Sequence, residues 1–187
     1  IEQALSMTPP DGFDEYVIGA DNLLVLFQRP VSECVLYEWL SGLQSEILDS
    51  SKYSRRIEVP VRYEGPDLAM VAVATGLSEA EVVAIHSAPE YRVRMMGFAP
   101  GFPYLDGLDE RLHLKRKASP RDRIEPGSVA IGGSHAGIYS VASPGGWHLL
   151  GRTDFPLFQP EKARGTLSDA REVFALAAGD TVKFLVI

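Results

Sequence analysis

The sequence predicts an α+β fold in which a small N-terminal α/β domain, residues 1–60, is followed by a β-rich domain, residues 61–187. Two observations lead to this prediction. Strand-like and helical segments follow one another up to about Met96, whereas after Leu105 short apolar runs are separated by closely spaced glycines and prolines. Short strands at such intervals are typical of an antiparallel barrel or sandwich, and they argue against a parallel βαβ sheet.

The first domain is predicted to contain a hairpin and one helix. Residues 13–18 and 23–27 read as strands joined by a turn over 19–22. Ser32 can cap a helix, and Cys34 within it is expected to be a buried, inert thiol. The apolar positions of this helix follow helical spacing and are expected to face a core: Val35, Leu36, Trp39, Leu40, Leu43 and Ile47.

Two further helices are predicted before the β-rich part. One begins at 66–67 and ends at Gly76. The other opens with a capping box of Ser78 and Glu81 and runs to about His86, which is expected to be a partner of the terminal carbonyl groups and not a ligand. The remaining predicted elements are strands over 57–63, 91–96 and 181–187 and a helix over 168–175.

Composition excludes several classes of function. Of the 187 residues, 45% are hydrophobic and 23% charged, which is ordinary for a globular protein. The formal net charge of −7 argues against non-specific nucleic-acid binding, and no apolar run reaches the roughly 18 residues of a membrane helix. A single cysteine excludes an internal disulfide framework. We therefore expect a cytoplasmic protein that has neither nucleic acid nor membrane as a partner.

The stretch 96–105 combines two glycines, two prolines and three aromatic residues. Such a stretch forms a stiff loop, because proline fixes its backbone angles and glycine reaches angles closed to other residues. The loop is either the wall of a pocket or a hydrophobic segment folded onto its own core, and composition leaves both open. The predicted pocket wall consists of Phe98, Pro100, Phe102, Tyr104, Tyr139 and Trp147.

Glycines beside basic residues predict a site for an anionic group. Arg121 and Arg123 lie two apart and would share one face of an extended strand, and guanidinium groups match carboxylate or phosphate oxygens. Arg152 supplies a third cation. The glycine pairs of the turns can present backbone N–H groups to the same anion; these are Gly132, Gly133, Gly145 and Gly146.

Each of these residues also has a structural interpretation. Arg121 could pair with a carboxylate such as Asp106, the second glycine pair could be only a hairpin turn, and Trp147 could be core. His135 is expected to hydrogen-bond a ligand rather than transfer a proton. No catalytic residue is assigned. No metal-binding pattern and no Walker or dinucleotide-binding motif is present, so no metal site is expected in this chain.

Four sequence blocks occur in a distinctive order: G-F-x-P-G-F-x-Y-L over 97–105, P-R-x-R-x-x-x-G-S-V-x-I over 120–131, G-I-Y over 137–139 and S-P-G-G-W-x-x-x-G-R-T over 143–153. From about Val59 onward the chain resembles the KipI/PxpB family, also called allophanate hydrolase subunit 1 or carboxyltransferase subdomain C/D. The resemblance implies that the β-rich domain is a cyclophilin-like antiparallel β-barrel. The N-terminal domain looks shortened by comparison.

The resemblance implies first that the chain is the B-type (PxpB-like) component of an ATP-dependent 5-oxoprolinase. Such a component acts with a C-type partner (PxpC-like, allophanate hydrolase subunit 2-like) to phosphorylate 5-oxoproline, a small carboxylate substrate. An A-type partner (PxpA-like, LamB/YcsF) then opens the ring to give glutamate. ATP would enter through the complex, and the chain alone would be inactive. The segment 155–158 is the candidate for an uncovered apolar contact, with a buried barrel strand as the alternative.

Two other functions are implied by the same family. One is a non-catalytic inhibitor of a sensor histidine kinase, as in the KipI branch. The other is one half of a biotin-dependent urea or amide carboxyltransferase. This chain has no biotin attachment motif of the A-M-K-M kind, so biotin would have to be supplied by another protein. The sequence blocks are shared by all three branches and do not separate them.

Overall fold

The computed structural model describes residues 9–19, 22–43, 54–163 and 170–187, in a chain that divides into two compact units, Ile1–Lys52 and Tyr53–Ile187. In the first unit, strand β1 (Phe13–Ile18) pairs antiparallel with strand β2 (Leu23–Phe27), and helix α1 spans Glu33–Leu43. The predicted hairpin and helix are therefore confirmed. Ile47, predicted on the same helix, lies outside the described residues.

The side chains of α1 are more exposed than the sequence pattern predicts. Val35 is 37% and Leu40 44% exposed, Leu36 and Trp39 are half-buried, and Cys34 is exposed. The predictions of a core-facing stripe and of a buried thiol are therefore wrong. The described part of this unit offers one two-stranded ribbon and one helix, which bury too little surface to cover a whole helix face.

The second unit contains most of the regular structure. Its strands are β3 (Arg56–Val61), β4 (Glu90–Met96), β5 (Pro103–Asp106), β6 (Arg121–Ile124), β7 (Ser128–Gly132), β8 (His135–Ile138), β9 (Ser143–Gly145), β10 (His148–Arg152) and β11 (Thr181–Val186). Its helices are α2 (Leu68–Thr75), α3 (Glu79–Ser87) and the short α4 (Ala170–Val173), with 3₁₀ turns at Glu110–Leu112 and Pro160–Lys162. Residues 168–169 of the last predicted helix lie outside the described ranges.

Seven strands form one sheet in the order β10-β7-β8-β5-β4-β11-β3, and β6 pairs with β9 in a separate ribbon. The sheet curls until its edges meet: just after β3, Arg62 forms an antiparallel bridge with Arg152 of β10, with N···O distances of 2.9 and 2.8 Å. The described strand pairs are antiparallel except that of β11 with β3, which is parallel. The predicted α+β fold with a β-barrel is confirmed.

Side chains alternate between two hydrophobic cores on opposite faces of the sheet. In β7, Val129 and Ile131 belong to the main core, which also receives Leu68 and Val71 from α2, whereas Ala130 belongs to a second core. This second core, here called the aromatic cluster, consists of Phe102, Ile124, Ala130, Tyr139, Trp147 and Leu149, with Ala99 and Tyr104 at its edge. The period of two follows from strand geometry.

The helices α2 and α3 begin and end as predicted. Gly76 ends α2 in the left-handed region (φ 73°), where glycine has no Cβ to strain. Ser78 and Glu81 form the reciprocal capping box of α3. Within the described ranges no single helix has both the length and the apolar composition to cross a membrane. The pair α2 and α3 meets these criteria only when joined across a bend of 94°.

Of the two interpretations of segment 155–158, the structure agrees with the buried one and not with an uncovered apolar surface. Leu157 is buried in the main core, and Phe155 packs against the same core. Phe158 stacks on Phe174 with ring centroids 5.3 Å apart and is bridged to it. The segment therefore serves packing within the second unit.

His86, near the end of α3, lies with its ring inside the main core. Its Nδ1 is 2.7 Å from the hydroxyl of Tyr63, and its ring stacks on Phe184 with centroids 4.8 Å apart. The prediction that the imidazole hydrogen-bonds the terminal carbonyls of the helix is wrong. The backbone carbonyl of His86 instead accepts a hydrogen bond from the hydroxyl of Tyr91. Burial lowers the pKa of His86 to about 3, so the ring is neutral at pH 7.

We predict that replacing His86 with Gln weakens the acid sensitivity of the fold. The folded-state pKa of about 3 lies below the unfolded value of roughly 6.5. The stability contributed by neutral His86 is therefore present above about pH 6.5 and is lost as the pH falls toward 3, at roughly 1.4 kcal/mol per pH unit. Urea unfolding at pH 7.5, 5.5 and 4.5 should show a steeper decline for the wild type than for His86→Gln. Parallel declines would contradict the assignment.

Candidate anion-binding site

The residues of the predicted pocket wall lie together in and around the aromatic cluster. Phe102 makes edge-to-face contacts with Tyr104, Tyr139 and Trp147 at centroid distances of 5.2, 5.2 and 5.5 Å. Phe102, Tyr139 and Trp147 are buried, whereas Tyr104 is half-buried. These rings are thus largely a packed core, and solvent reaches the cluster at its rim.

Phe98 forms the exposed rim of the aromatic cluster. Its side chain is 58% exposed, with its ring 5.3 Å from Phe102 and 6.2 Å from Tyr139. Its backbone has φ 67°, which for a bulky residue costs on the order of 1–3 kcal/mol. The loop that imposes this conformation is fixed by a hydrogen bond from Ser140 Oγ to the carbonyl of Pro100. Pro100 itself is exposed. Strained backbone conformations cluster at functional sites, which makes this loop a candidate part of one.

Two glycines allow the rings to lie directly on the sheet. A Cβ on Gly132 of β7 would lie 2.7 Å from the ring of Trp147, and one on Gly137 of β8 would lie 2.9 Å from Phe102. Real Cβ atoms do not approach other heavy atoms so closely. These positions therefore require glycine because of close packing.

The other predicted glycines are also used in packing or backbone pairing. Gly133 takes φ 65° in the turn between β7 and β8, and its N–H donates to the carbonyl of Leu114 at 2.8 Å. A Cβ on Gly145 would collide with the hydroxyl of Tyr139, and the carbonyl of Gly146 accepts from the N–H of Lys117 at 2.7 Å. The N–H of Gly133 is therefore already used within the chain, and Gly145 is required by the close approach of Tyr139.

Asp67 connects two cations and a backbone N–H beside the aromatic cluster. Its Oδ1 accepts hydrogen bonds from Lys117 Nζ at 2.9 Å and Arg121 Nη2 at 2.7 Å, and its Oδ2 accepts from the N–H of Leu149 at 2.8 Å. The residue is 3% exposed and precedes α2, yet its side chain makes no cap bond to that helix. Its carboxylate instead hydrogen-bonds residues that lie far away in the sequence.

The electrostatics of this group favour a charged carboxylate. Burial alone would raise the pKa of Asp67, but hydrogen bonds from Arg121, the N–H of Leu149 and Lys117 outweigh it and lower the pKa to about 2. The hydrogen bond to Asp67 in turn raises the pKa of Arg121. Nη1 of Arg121 is buried and has no hydrogen-bond partner among the described residues.

Arg116 is the third cation of this region. Its guanidinium carbon lies over the Trp147 ring, 5.6 Å from the centroid, within the range of a cation–π interaction. Arg116 is exposed. Burial raises the pKa of Tyr139, while the N–H of Trp147 and the positive charges of Arg116 and Arg121 act in the opposite direction.

Arg123 and Arg152 belong to a different group of charges. Arg123 is exposed and pairs with Glu125 at 2.7 Å, and Arg152, also exposed, lies close enough to lower the pKa of the same Glu125. Arg121 pairs instead with Asp67, and the register of β6 is irregular between Arg121 and Ile124, so the strict alternation behind the expected shared face does not hold. The predicted cations thus separate into two sets.

His135 lies beside Tyr104 on the same side of the sheet. Its Nδ1 is 2.9 Å from Asp106 Oδ1, an ion-pair distance without hydrogen-bond alignment, and its ring centroid is 6.3 Å from that of Tyr104. Asp106 also pairs with Arg94 at 3.3 Å, so it is not the partner of Arg121 that the sequence suggested. No group of three histidine, cysteine or carboxylate side chains in the described part of the chain could hold a metal ion.

Sequence reasoning missed three residues of this region: Asp67, Arg116 and Lys117. A signal existed for the cations, because Lys115, Arg116 and Lys117 form a basic run shortly before Arg121 in a protein of net negative charge. Asp67 was assigned only to the start of a helix. Its partners lie 50, 54 and 82 positions away, so only the fold identifies them.

The fold and site define a class: an α+β barrel protein with cations grouped around an aromatic cluster outside the main core. Residues 1–168 match the family described as "Carboxyltransferase domain, subdomain C and D". The chain belongs to this family, and the family predicted from the four sequence blocks is confirmed.

Proteins named as B-type subunits of 5-oxoprolinase are similar to this chain. That of Escherichia coli O157:H7 is 43% identical over 179 residues, covering 91% of this chain and 77% of the relative. That of Bacillus subtilis is 46% identical over 147 residues, covering 76% and 58%.

Solved structures show the same fold within longer chains. The crystal structure of TTHA0988 aligns with a TM-score of 0.81 at 38% identity, covering 99% of this chain and 35% of the other, so this chain spans about a third of that protein. The urea amidolyase of Kluyveromyces lactis aligns with a TM-score of 0.73 at 20% identity, covering 100% and 13%. The second likeness concerns the fold alone.

We predict that Gly132→Ala destabilises the protein by about 1–3 kcal/mol, because the new methyl group would overlap the Trp147 ring. Gly97→Ala is the matched control, since its nearest neighbour would be a flexible Met95 methyl at 3.6 Å and its φ is not positive. Denaturant unfolding of both variants measures the difference. Equal stabilities would show that the ring does not rest on Gly132.

We predict that Asp67→Asn costs about 3 kcal/mol of folding free energy, because it leaves Lys117 and Arg121 without their buried counter-charge. Glu125→Gln removes a carboxylate from an exposed ion pair and should cost less than about 1 kcal/mol. Denaturant unfolding at pH 7 compares the two variants. A loss for Asp67→Asn no larger than that for Glu125→Gln would contradict the assignment.

Proposed function

We propose that this chain is the B-type component of an ATP-dependent 5-oxoprolinase and that it acts with a C-type subunit and an A-type protein. The observation that carries the proposal is the 43% identity, over 91% of this chain, to a protein named as a subunit of 5-oxoprolinase. The site supports it because the substrate is a small carboxylate, and the site has three cations: Lys117 and Arg121, which share the carboxylate of Asp67, and Arg116, which lies over the Trp147 ring. A group with more cations than anions attracts an anionic ligand.

The proposed reaction consumes one ATP and two water molecules for each 5-oxoproline. The lactam oxygen takes the γ-phosphoryl group, which releases ADP, and the ring nitrogen loses its proton. One water then adds to the ring carbon and the C–N bond breaks, giving an acyl phosphate. The second water releases phosphate and leaves glutamate. Catalysis of phosphoryl transfer depends mainly on positioning and on stabilising charge.

In this proposal the chain binds and orients 5-oxoproline. The carboxylate lies against the cations, and the apolar edge of the lactam ring lies near Phe98 and the exposed part of Tyr104. The sequence has no nucleotide-binding motif of the Walker type. ATP binding is therefore assigned to the assembled complex, and the A-type protein is assigned the opening of the ring.

The test is ATP hydrolysis and glutamate formation that depend on 5-oxoproline, measured with this chain and its C- and A-type partners together and with each omitted. We expect turnover only with all three, and a fall in kcat/KM of roughly 10²-fold in Arg121→Ala, because that change removes a positive charge and a hydrogen bond to Asp67 from the site. Absence of turnover from a folded, assembled complex would contradict the proposal. Biotin-dependent carboxylation of urea by the same complex would favour the carboxyltransferase alternative instead.

A further inference from the structure

The cations beside the aromatic cluster have different partners. Lys117 and Arg121 both bind Asp67, and about a quarter of each side chain is exposed. Arg116 has no carboxylate partner among the residues that the structure describes, and it is exposed. Lys117 and Arg121 together carry one positive charge more than Asp67 neutralises, and Arg116 adds a second positive charge, which is exposed.

Arg116 is also held in place from both sides. Immediately after it, the N–H of Lys117 donates to the carbonyl of Gly146 at 2.7 Å. Immediately before it, the carbonyl of Lys115 lies 2.8 Å from His148 Nε2, which donates the hydrogen bond. Both partners flank Trp147, so the backbone that carries Arg116 and the ring beneath its guanidinium are fixed to each other. Such a preorganised group loses little entropy when a ligand binds.

We propose that Arg116 is the residue that binds the carboxylate of the small substrate, and that Lys117 and Arg121 are positioning residues. A guanidinium that lies over an aromatic face can still offer N–H groups for two parallel hydrogen bonds to a carboxylate. Arg121 is unsuited to that task, because Nη2 binds Asp67 and Nη1 is buried away from solvent. The inference rests on the proposed function and names the group that recognises its substrate.

The first test measures 5-oxoproline-dependent turnover of the complete three-protein complex containing wild type, Arg116→Gln, Arg116→Lys or Lys115→Gln. Arg116→Gln should raise KM for 5-oxoproline at least 10-fold while kcat changes less than about 3-fold, since a contact made equally in ground and transition states affects KM. Arg116→Lys should restore part of the affinity by charge alone. Lys115→Gln removes a neighbouring exposed charge and should leave KM within about 2-fold.

The second test uses two competitors that each carry half of the substrate. Proline has the carboxylate but no lactam, and 2-pyrrolidinone has the lactam but no carboxylate. Arg116→Gln should raise the inhibition constant of proline about 10-fold and leave that of 2-pyrrolidinone unchanged. If Arg116 had a purely structural role, Arg116→Gln would raise the inhibition constants of both competitors by similar factors.

The outcomes separate this inference from the function on which it rests. A wild-type complex without 5-oxoproline turnover contradicts the proposed function itself. Two results would contradict only the assignment to Arg116 while the wild-type complex turns over. In one, Arg116→Gln has the same KM as Lys115→Gln; in the other, Arg116→Gln raises the inhibition constants of proline and 2-pyrrolidinone equally. If Arg116→Gln fails to fold, Arg116→Lys decides, because it keeps the charge and loses the two parallel hydrogen bonds.

Discussion

The buried carboxylate of Asp67 holds the candidate site together. Both of its oxygens accept hydrogen bonds, and the donors come from the 115–121 segment and from β10. A buried charge is costly unless its hydrogen bonds are satisfied, so each donor is held to the position that the carboxylate requires. Because Leu149 follows Trp147 by two residues, the same carboxylate also fixes the strand that carries the ring. Arg116 depends on Asp67 indirectly, through Lys117 and through the Trp147 ring over which its guanidinium lies.

The two faces of the sheet explain why this site lies where it does. The main core is filled by side chains of β3, β4, β5, β7, β8, β10 and β11 that solvent does not reach, and close-packed interiors of this kind have no room for a ligand. On the opposite face, Gly132, Ala130 and Gly137 leave space that the aromatic rings occupy. The candidate site therefore lies at the rim of the aromatic cluster, where Phe98 and Arg116 are exposed.

The features that could be predicted from sequence are those set by nearby residues. The hairpin of β1 and β2, the glycine that ends α2 and the capping box of α3 all follow from local chemistry. The errors concern burial and partner choice. The apolar stripe of α1 indicates a helix but not whether enough structure packs against it, and the position of His86 at a helix end says nothing about Tyr63. Likewise, Arg121 could be given a carboxylate partner, but choosing Asp67 over Asp106 requires the fold.

An open rim places a physical demand on the proposed chemistry. Phosphoryl transfer needs a site from which water is excluded, since charges interact far more strongly there than in solvent. Phe98 and Arg116 are exposed in the described part of this chain, so a second surface must cover them if 5-oxoproline reacts at this rim. That demand agrees with the naming of similar proteins as subunits and with TTHA0988, in which this fold makes up about a third of a longer chain. In that case the strained backbone of Phe98 would have a function, because it presents an aromatic ring to the surface that covers the rim.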